Sequence, residues 1–107
     1  MNPETLKGHL DLLLLTAVRL QPSHGYAIAE TLRRQSDGAF DLPDGTIYPA
    51  LHRLERAGWL ASLWEEQSGR RRRVYQLTAR GRRVLSRQHR EWREFVRAMH
   101  SIVQSPT

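Results

Sequence analysis

Apolar residues recur along this 107-residue chain in segments of changing period, and the period predicts the elements. Leu6, Leu10, Leu13, Leu14, Ala17 and Val18 share a helical stripe, predicting a first helix from about Thr5 to Leu20 with Thr5 as its cap. Leu12 and Leu15 fall off that stripe. A helix apolar over most of its girth is expected to be covered on two sides, in so small a chain by a partner subunit. Pro22 breaks the run, because proline disfavours helical backbone at the residue before it. A second helix is expected from Ser23 or His24 to Gln35, with Ile28, Ala29 and Leu32 inward and Ser36-Asp37-Gly38 as its end.

Around Pro43 and Asp44 a third helix starts, where proline suits the first turn and an acidic group the positive helix end. Ile47, Leu51 and Leu54 form its inward stripe, and Gly58 ends it. Pro49, a turn and a half in, removes a hydrogen bond, so a late start or a kink is expected there. Trp59–Trp64 and Arg73–Leu77 are rich enough in β-formers to be strands, with 65–72 as the polar loop between them. Thr78 then caps a last helix, Ala79–Val103. Leu85, Trp92 and Met99 recur at sevens in it, with Val96 and Val103 four later, close to a heptad seam. At about 1.5 Å per residue this helix spans roughly 38 Å, longer than a domain of this size covers. The residues 104–107 read as a tail, and no internal repeat or linker is evident.

The order describes a mainly α fold with a small β-hairpin: a winged helix-turn-helix of three helices and a two-stranded wing over 1–77. A long C-terminal dimerisation helix and short tail over 78–107 complete one structural unit.

Charge sharpens this picture. The chain carries 17 Lys and Arg against 11 Asp and Glu, a formal net charge of +6. Residues 1–53 hold five basic and six acidic side chains, whereas residues 54–107 hold twelve and five. The basic half must face something anionic or stand idle in solvent. All but one of the basic residues are arginine, whose planar fork suits phosphate and guanine, although a GC-rich genome produces the same bias. Cysteine is absent, which excludes disulfides, thiolate catalysis and cysteine-based zinc sites. Histidines 9, 24, 52, 89 and 100 have no metal-ligand spacing, and no nucleophile pair, phosphate cradle or carboxylate pair marks an enzyme. No metal or cofactor is expected. The N-terminus lacks a basic leader, and Lys7, His9 and Asp11 interrupt the leucine-rich run, so a soluble cytoplasmic protein without a membrane partner is expected.

The third helix could be an ordinary core helix with solvated polar residues, since periodicity alone does not distinguish the two. Next to a basic hairpin it reads as a DNA-recognition helix. Thr46, Tyr48, Pro49 and His52 lie near the N-terminal end, which usually enters the major groove. Hydroxyls of Thr46 and Tyr48 suit phosphates or base edges, and Pro49 suits a thymine methyl. Arg53 is expected to pair with Glu55 or Glu30 at the surface. Gly69, Arg70, Arg71 and Arg72 are expected to meet phosphate or the minor groove, with Arg73 turned away by strand alternation. Leu10, Leu13, Leu85, Trp92, Val96, Met99 and Val103 are the expected dimer contacts. His24 is given a structural role at the start of helix two.

Three segments resemble the PadR family of bacterial transcription regulators: LKGHLDLLLLTAVRLQPSHGYAIAETL at 6–32, GTIYPALHRLERAGWL at 45–60 and GRRRRVYQLTARG at 69–81. The resemblance spans about 6–103 and implies a dimeric winged-helix repressor of the compact branch, with a single C-terminal helix packed on its partner. It also implies ligand response, with Trp92 and its symmetry mate bracketing a planar hydrophobic effector. Family wings often place proline where this chain has Arg71, so a looser, more cationic wing is expected. The expected partners are double-stranded DNA with a near-palindromic operator, a second copy of the chain and that effector. Alternatives are a constitutive, low-specificity or nucleoid-type DNA-binding protein, and an interaction module whose wing docks on an acidic protein.

Overall fold

A computed structural model describes residues 3–6 and 8–106. Among them the order is α1 (Pro3–Leu6), α2 (Leu10–Leu20), α3 (Gly25–Gln35), α4 (Asp44–Arg56), β1 (Leu60–Gln67), β2 (Arg70–Leu77) and α5 (Ala79–Val103). The mainly helical winged helix-turn-helix with a long final helix is thus present, with α2, α3 and α4 as its three helices.

The expected first helix is divided. Gly8 takes a φ of +86°, a left-handed conformation that no α-helix continues through, and α2 begins only at Leu10. Lys7 lies outside the described residues, as do Met1, Asn2 and Thr107. The break also changes which leucines are inside. Leu14, Leu15, Ala17 and Val18 of α2 are buried, while Leu10, Leu12 and Leu13 only flank the core.

Leu14, Leu15, Ile28, Ile47, Leu51 and Leu54, fully buried, bring α2, α3 and α4 around one core that Leu60 and Tyr75 of the hairpin close. Val84 and Leu85 from the first turns of α5 join it, so the last helix is rooted in the same core. Leu85 is 3% exposed, which reassigns it from dimer contact to intrachain packing. A heptad position cannot tell one kind of burial from the other. Beyond Leu85 the burial fades: every residue from Arg90 to Val103 is exposed, although Trp92 and Phe95 still meet the His9 ring. The radius of gyration of 15.5 Å exceeds the roughly 13 Å of a compact chain of this length, and the longest extent is 60 Å.

The hairpin is longer than expected. Its strands pair antiparallel from Leu60↔Leu77 to Gln67↔Arg70, joined only by Ser68 and Gly69 at φ of 54° and 75°. Positive φ at both central residues is the twisted two-residue turn that matches strand twist. Residues 65–67 and 70–72, read as loop, are therefore strand, because Glu65 and Glu66 stand opposite Arg72 and Arg71. Arg71 belongs to this ladder.

Thr78 fastens α5 to this hairpin end. Its Oγ accepts from the Gly81 N–H at 2.9 Å and donates to the Gly58 carbonyl at 2.6 Å, joining the last helix to the end of α4. Thr78→Ala should lower unfolding free energy by about 1–2 kcal/mol, and Thr78→Ser by much less. Urea denaturation of both variants checks this.

Candidate nucleic-acid interface

The core fixes which side of α4 looks out. With Ile47, Ala50, Leu51 and Leu54 buried, helical spacing places Tyr48, Pro49, His52 and Arg56 on the outer face, and each is exposed. Thr46 is only partly exposed, at the margin of that face. Pro43 is the N-cap residue and Asp44 opens the first turn, so the helix does not start late. Pro49 lies within an unbroken helical segment and simply offers no N–H to the Gly45 carbonyl one turn back.

Arg53 is spent elsewhere. Its guanidinium grips Asp11 of α2 through two bonds, Nη2 to Oδ1 at 2.6 Å and Nη1 to Oδ2 at 3.1 Å. The expected pairing with Glu55 or Glu30 does not form, because both carboxylates are engaged. Glu55 accepts from the Ser62 hydroxyl at 2.6 Å and has Arg73 at 3.6 Å, and Glu30 holds Arg33 at 2.9 Å.

The start of α3 sets the position of Tyr48. A Cβ on Gly25 would lie 2.5 Å from Tyr48 Cε1, so glycine there lets the phenol ring lie against the first turn of α3. One residue earlier, His24 is the N-cap of α3, its Nδ1 3.3 Å from the Ala27 N–H, while its Nε2 lies 2.8 Å from Arg72 Nη1 on the wing. One residue earlier again, Ser23 and Tyr75 exchange both backbone hydrogen bonds, at 3.0 and 3.3 Å, an isolated antiparallel bridge that ties the hairpin to the segment before α3.

Tyr48, Arg70, Arg71 and Arg72 thus share an open groove of about 500 Å³ between α4, the start of α3 and the wing. Thr46, Pro49 and His52 do not line it. Gly69 is at the tip of the wing. Arg73 also reaches the groove edge, but its Nε donates to Ser62 at 2.7 Å and its guanidinium lies 5.3 Å from the centre of the Trp64 ring. Arg71 covers the same ring at 4.8 Å, a cation–π contact on an exposed tryptophan. Two groove residues escaped sequence reasoning. His24, expected only to have a structural role, faces the groove, and so does Tyr26, 65% exposed and stacked on His24 at 6.4 Å, for which the sequence suggested no binding role. The signal was present in their position, two polar aromatics at the mouth of a helix that enters a basic region.

A second concavity, about 760 Å³ and mostly apolar, lies between α1, α2, the end of α3 and α5. Leu13 and Trp92 line it, and the Trp92 ring meets His9 at 5.5 Å and Phe95 at 6.0 Å. Leu10 is half-buried beside the core and is not part of the lining. Val96, Met99 and Val103 continue the apolar stripe of α5 and are all exposed. A cluster of three or more potential metal ligands does not occur among the described residues, and no helix there is long and apolar enough to cross a membrane.

A buried three-helix core presenting the outer face of its third helix beside an arginine-bearing hairpin is the architecture of winged-helix transcription regulators. The chain belongs to the Transcriptional regulator PadR-like family, which it matches over residues 14–87. It is 39% identical over 74 residues to the transcriptional regulator Rv3488 of Mycobacterium tuberculosis, covering 69% of this chain and 66% of that protein. Among solved structures it is similar to a PadR family transcription regulator from Clostridium difficile, with 31% identity and a TM-score of 0.78 over 90% of this chain and 99% of that one. A PadR family transcriptional regulator from Eggerthella lenta gives 30% identity and a TM-score of 0.80 over 96% and 88%. The chain is a transcription regulator, and catalysis is no part of that role.

Gly25→Ala tests the seat of Tyr48. The exposed ring can swing aside, so the melting temperature should move by only a few degrees, on the order of 1 kcal/mol or less, while affinity for duplex DNA falls. In a Tyr48→Ala background the same change should have no further effect on DNA titrations.

Proposed function

We propose that the chain is a homodimeric, sequence-specific repressor that a planar hydrophobic effector releases from DNA. The observation that carries this reading is the groove where Tyr48 of α4 meets Arg70, Arg71 and Arg72 of the wing. A base-reading helix and a phosphate-holding cationic strand are the two components that a specific duplex contact requires. Thr46, Pro49 and His52 extend the reading face along α4, and Gly69 lets the tip of the wing approach the backbone. In a two-fold dimer, two such heads enter successive major grooves of a near-palindromic operator, with half-sites about 34–36 Å apart.

The exposed stripe of Trp92, Val96, Met99 and Val103 supports dimerisation through α5, with Leu10 and Leu13 contributing from α2. An exposed apolar row on a helix that leaves its own core is the kind of surface another subunit covers. The apolar concavity beside Trp92 supports the effector reading, since an aromatic wall with few polar groups suits a flat hydrophobic molecule. Binding there would act by changing the separation of the reading heads. The combination points to a soluble cytoplasmic regulator of double-stranded DNA organised as 1–77 for reading and 78–107 for pairing.

Binding-site selection with purified protein, followed by titration of the selected site and random DNA at two salt concentrations, tests the reading. A repressor should prefer its site by about a thousandfold or more, whereas a constitutive coating protein would show a small ratio. Arg70→Ala and Arg72→Ala should weaken binding to every sequence and each lower the salt slope by about one. Tyr48→Ala should cost more on the selected site than on random DNA, and equal losses would remove it from the base-reading set.

Light scattering should give about twice 12.5 kDa. Val96→Glu should shift that mass toward one chain while the far-ultraviolet circular dichroism is preserved, because residue 96 has no intrachain core to disrupt.

A further inference from the structure

His24 faces a shortage of lone pairs. Two donors converge on its ring, the Ala27 N–H at 3.3 Å from Nδ1 and the Arg72 guanidinium at 2.8 Å from Nε2. A neutral imidazole has one acceptor nitrogen and an imidazolium none, so both contacts cannot be hydrogen bonds at once. The shorter distance gives the lone pair to Arg72, and the cap of α3 is left weak.

The other groups around the ring are Tyr26 stacked upon it from α3, Tyr48 from α4, and Arg70, Arg71, Arg73 and Tyr75 from β2. Glu65 stands opposite Arg72 in the hairpin register but does not line this groove. The ring therefore looks into a space bounded by cations and phenols, without a carboxylate among the described lining residues. Burial and the Arg72 charge hold its pKa below the usual histidine value.

Resting on the DNA-binding reading above, we propose that His24 is a phosphate-contact residue, occupied by Arg72 in the free protein and released when DNA enters the groove. A backbone phosphate draws the guanidinium to its own oxygens. The lone pair of His24 then moves to Nδ1, where it accepts from Ala27 and completes the α3 cap, and the ring proton moves to Nε2, where it donates to the phosphate. No net proton or electron is exchanged in this step; the ring changes tautomer. One encounter thus fastens the wing arginine, the start of α3 and the duplex together.

Exchanging a cationic neighbour for an anionic one favours the imidazolium, which gives up the Ala27 cap but sets its charge against the phosphate, so His24 is easier to protonate in the complex than in the free protein. The complex consequently takes up protons as pH falls, and affinity rises in that direction. The probe is a random-sequence duplex of about two helical turns, at constant ionic strength, near pH 7.5 and near pH 5.5, either side of the usual imidazole value of about 6.5. His24→Asn keeps a capping oxygen but cannot titrate. Wild-type affinity should rise about fivefold more across that interval than the affinity of His24→Asn, the difference cancelling the contribution of His52 and the other histidines. In the wild-type protein, the NMR titration of His24 should move to higher pH when the duplex is added. Equal gains in the two proteins, or a titration that stays or moves lower, overturn the His24 assignment while leaving the DNA-binding reading intact. Absence of duplex binding by the wild type at both pH values overturns that reading, and this inference with it.

Discussion

The pairing of Ser23 with Tyr75 is the constraint on which the interface depends. Tyr75 is buried in β2, and its backbone N–H and carbonyl are both taken by Ser23, next to the N-cap of α3. A two-stranded hairpin by itself is marginal in water and free to hinge. Here the bridge to Ser23 and the buried Tyr75 ring hold it against the helices, and burial raises the pKa of that phenol further above its ordinary value. Because Ser23, His24 and Gly25 are consecutive, the same turn of chain fixes the wing, contacts its arginine and seats the recognition-helix tyrosine. The relative placement of two structures distant in sequence follows from three adjacent residues.

Around that anchor, electrostatics sorts the arginines by job. Arg53 is bound to Asp11 and holds α4 on α2; Arg73 is bound to Ser62 and Glu55 and holds β2 on the end of α4. These pairs are partly exposed, so each contributes orientation more than stability. Arg70, Arg71 and Arg72 have no carboxylate within ion-pair distance among the described residues, and they are the ones that line the groove. The basic surplus of the second half of the chain is therefore divided into a part that aligns the framework and a part open to an anion.

Much of this was legible because it is local. The bounds of α5 follow from a threonine cap and a heptad row, and those of α3 and α4 from glycine, proline and apolar spacing. Family segments such as His24-Gly25-Tyr26 carried the class of protein. What escaped was either long-range or two-valued. The partner of Arg53 is 42 residues away, and that of Arg72 is 48; no local pattern names them. Leu85 occupies a seam position but is consumed by its own core. The apolar stripe from Leu6 to Val18 runs across Gly8 without a mark, yet Gly8 is the breakpoint of that expected helix. The wing was misjudged because a run of four arginines resembles a solvated loop, whereas the acidic residues opposite and a two-residue Ser68-Gly69 turn make it strand.

That last difference matters beyond the count of strand residues. An arginine carried on a loop must have its backbone ordered when it meets an anion, at about 1–2 kcal/mol per residue. On β2 the backbone of residues 70–72 is already fixed by the ladder, so only the side chains remain to be ordered. Same-side residues also repeat every two positions, roughly 6.8 Å apart along a strand, so Arg70 and Arg72 form a ruler of set spacing. A short tight turn thereby makes the wing a preorganised gauge of an anionic backbone, and lengthening that turn would blunt the gauge without removing a single charge.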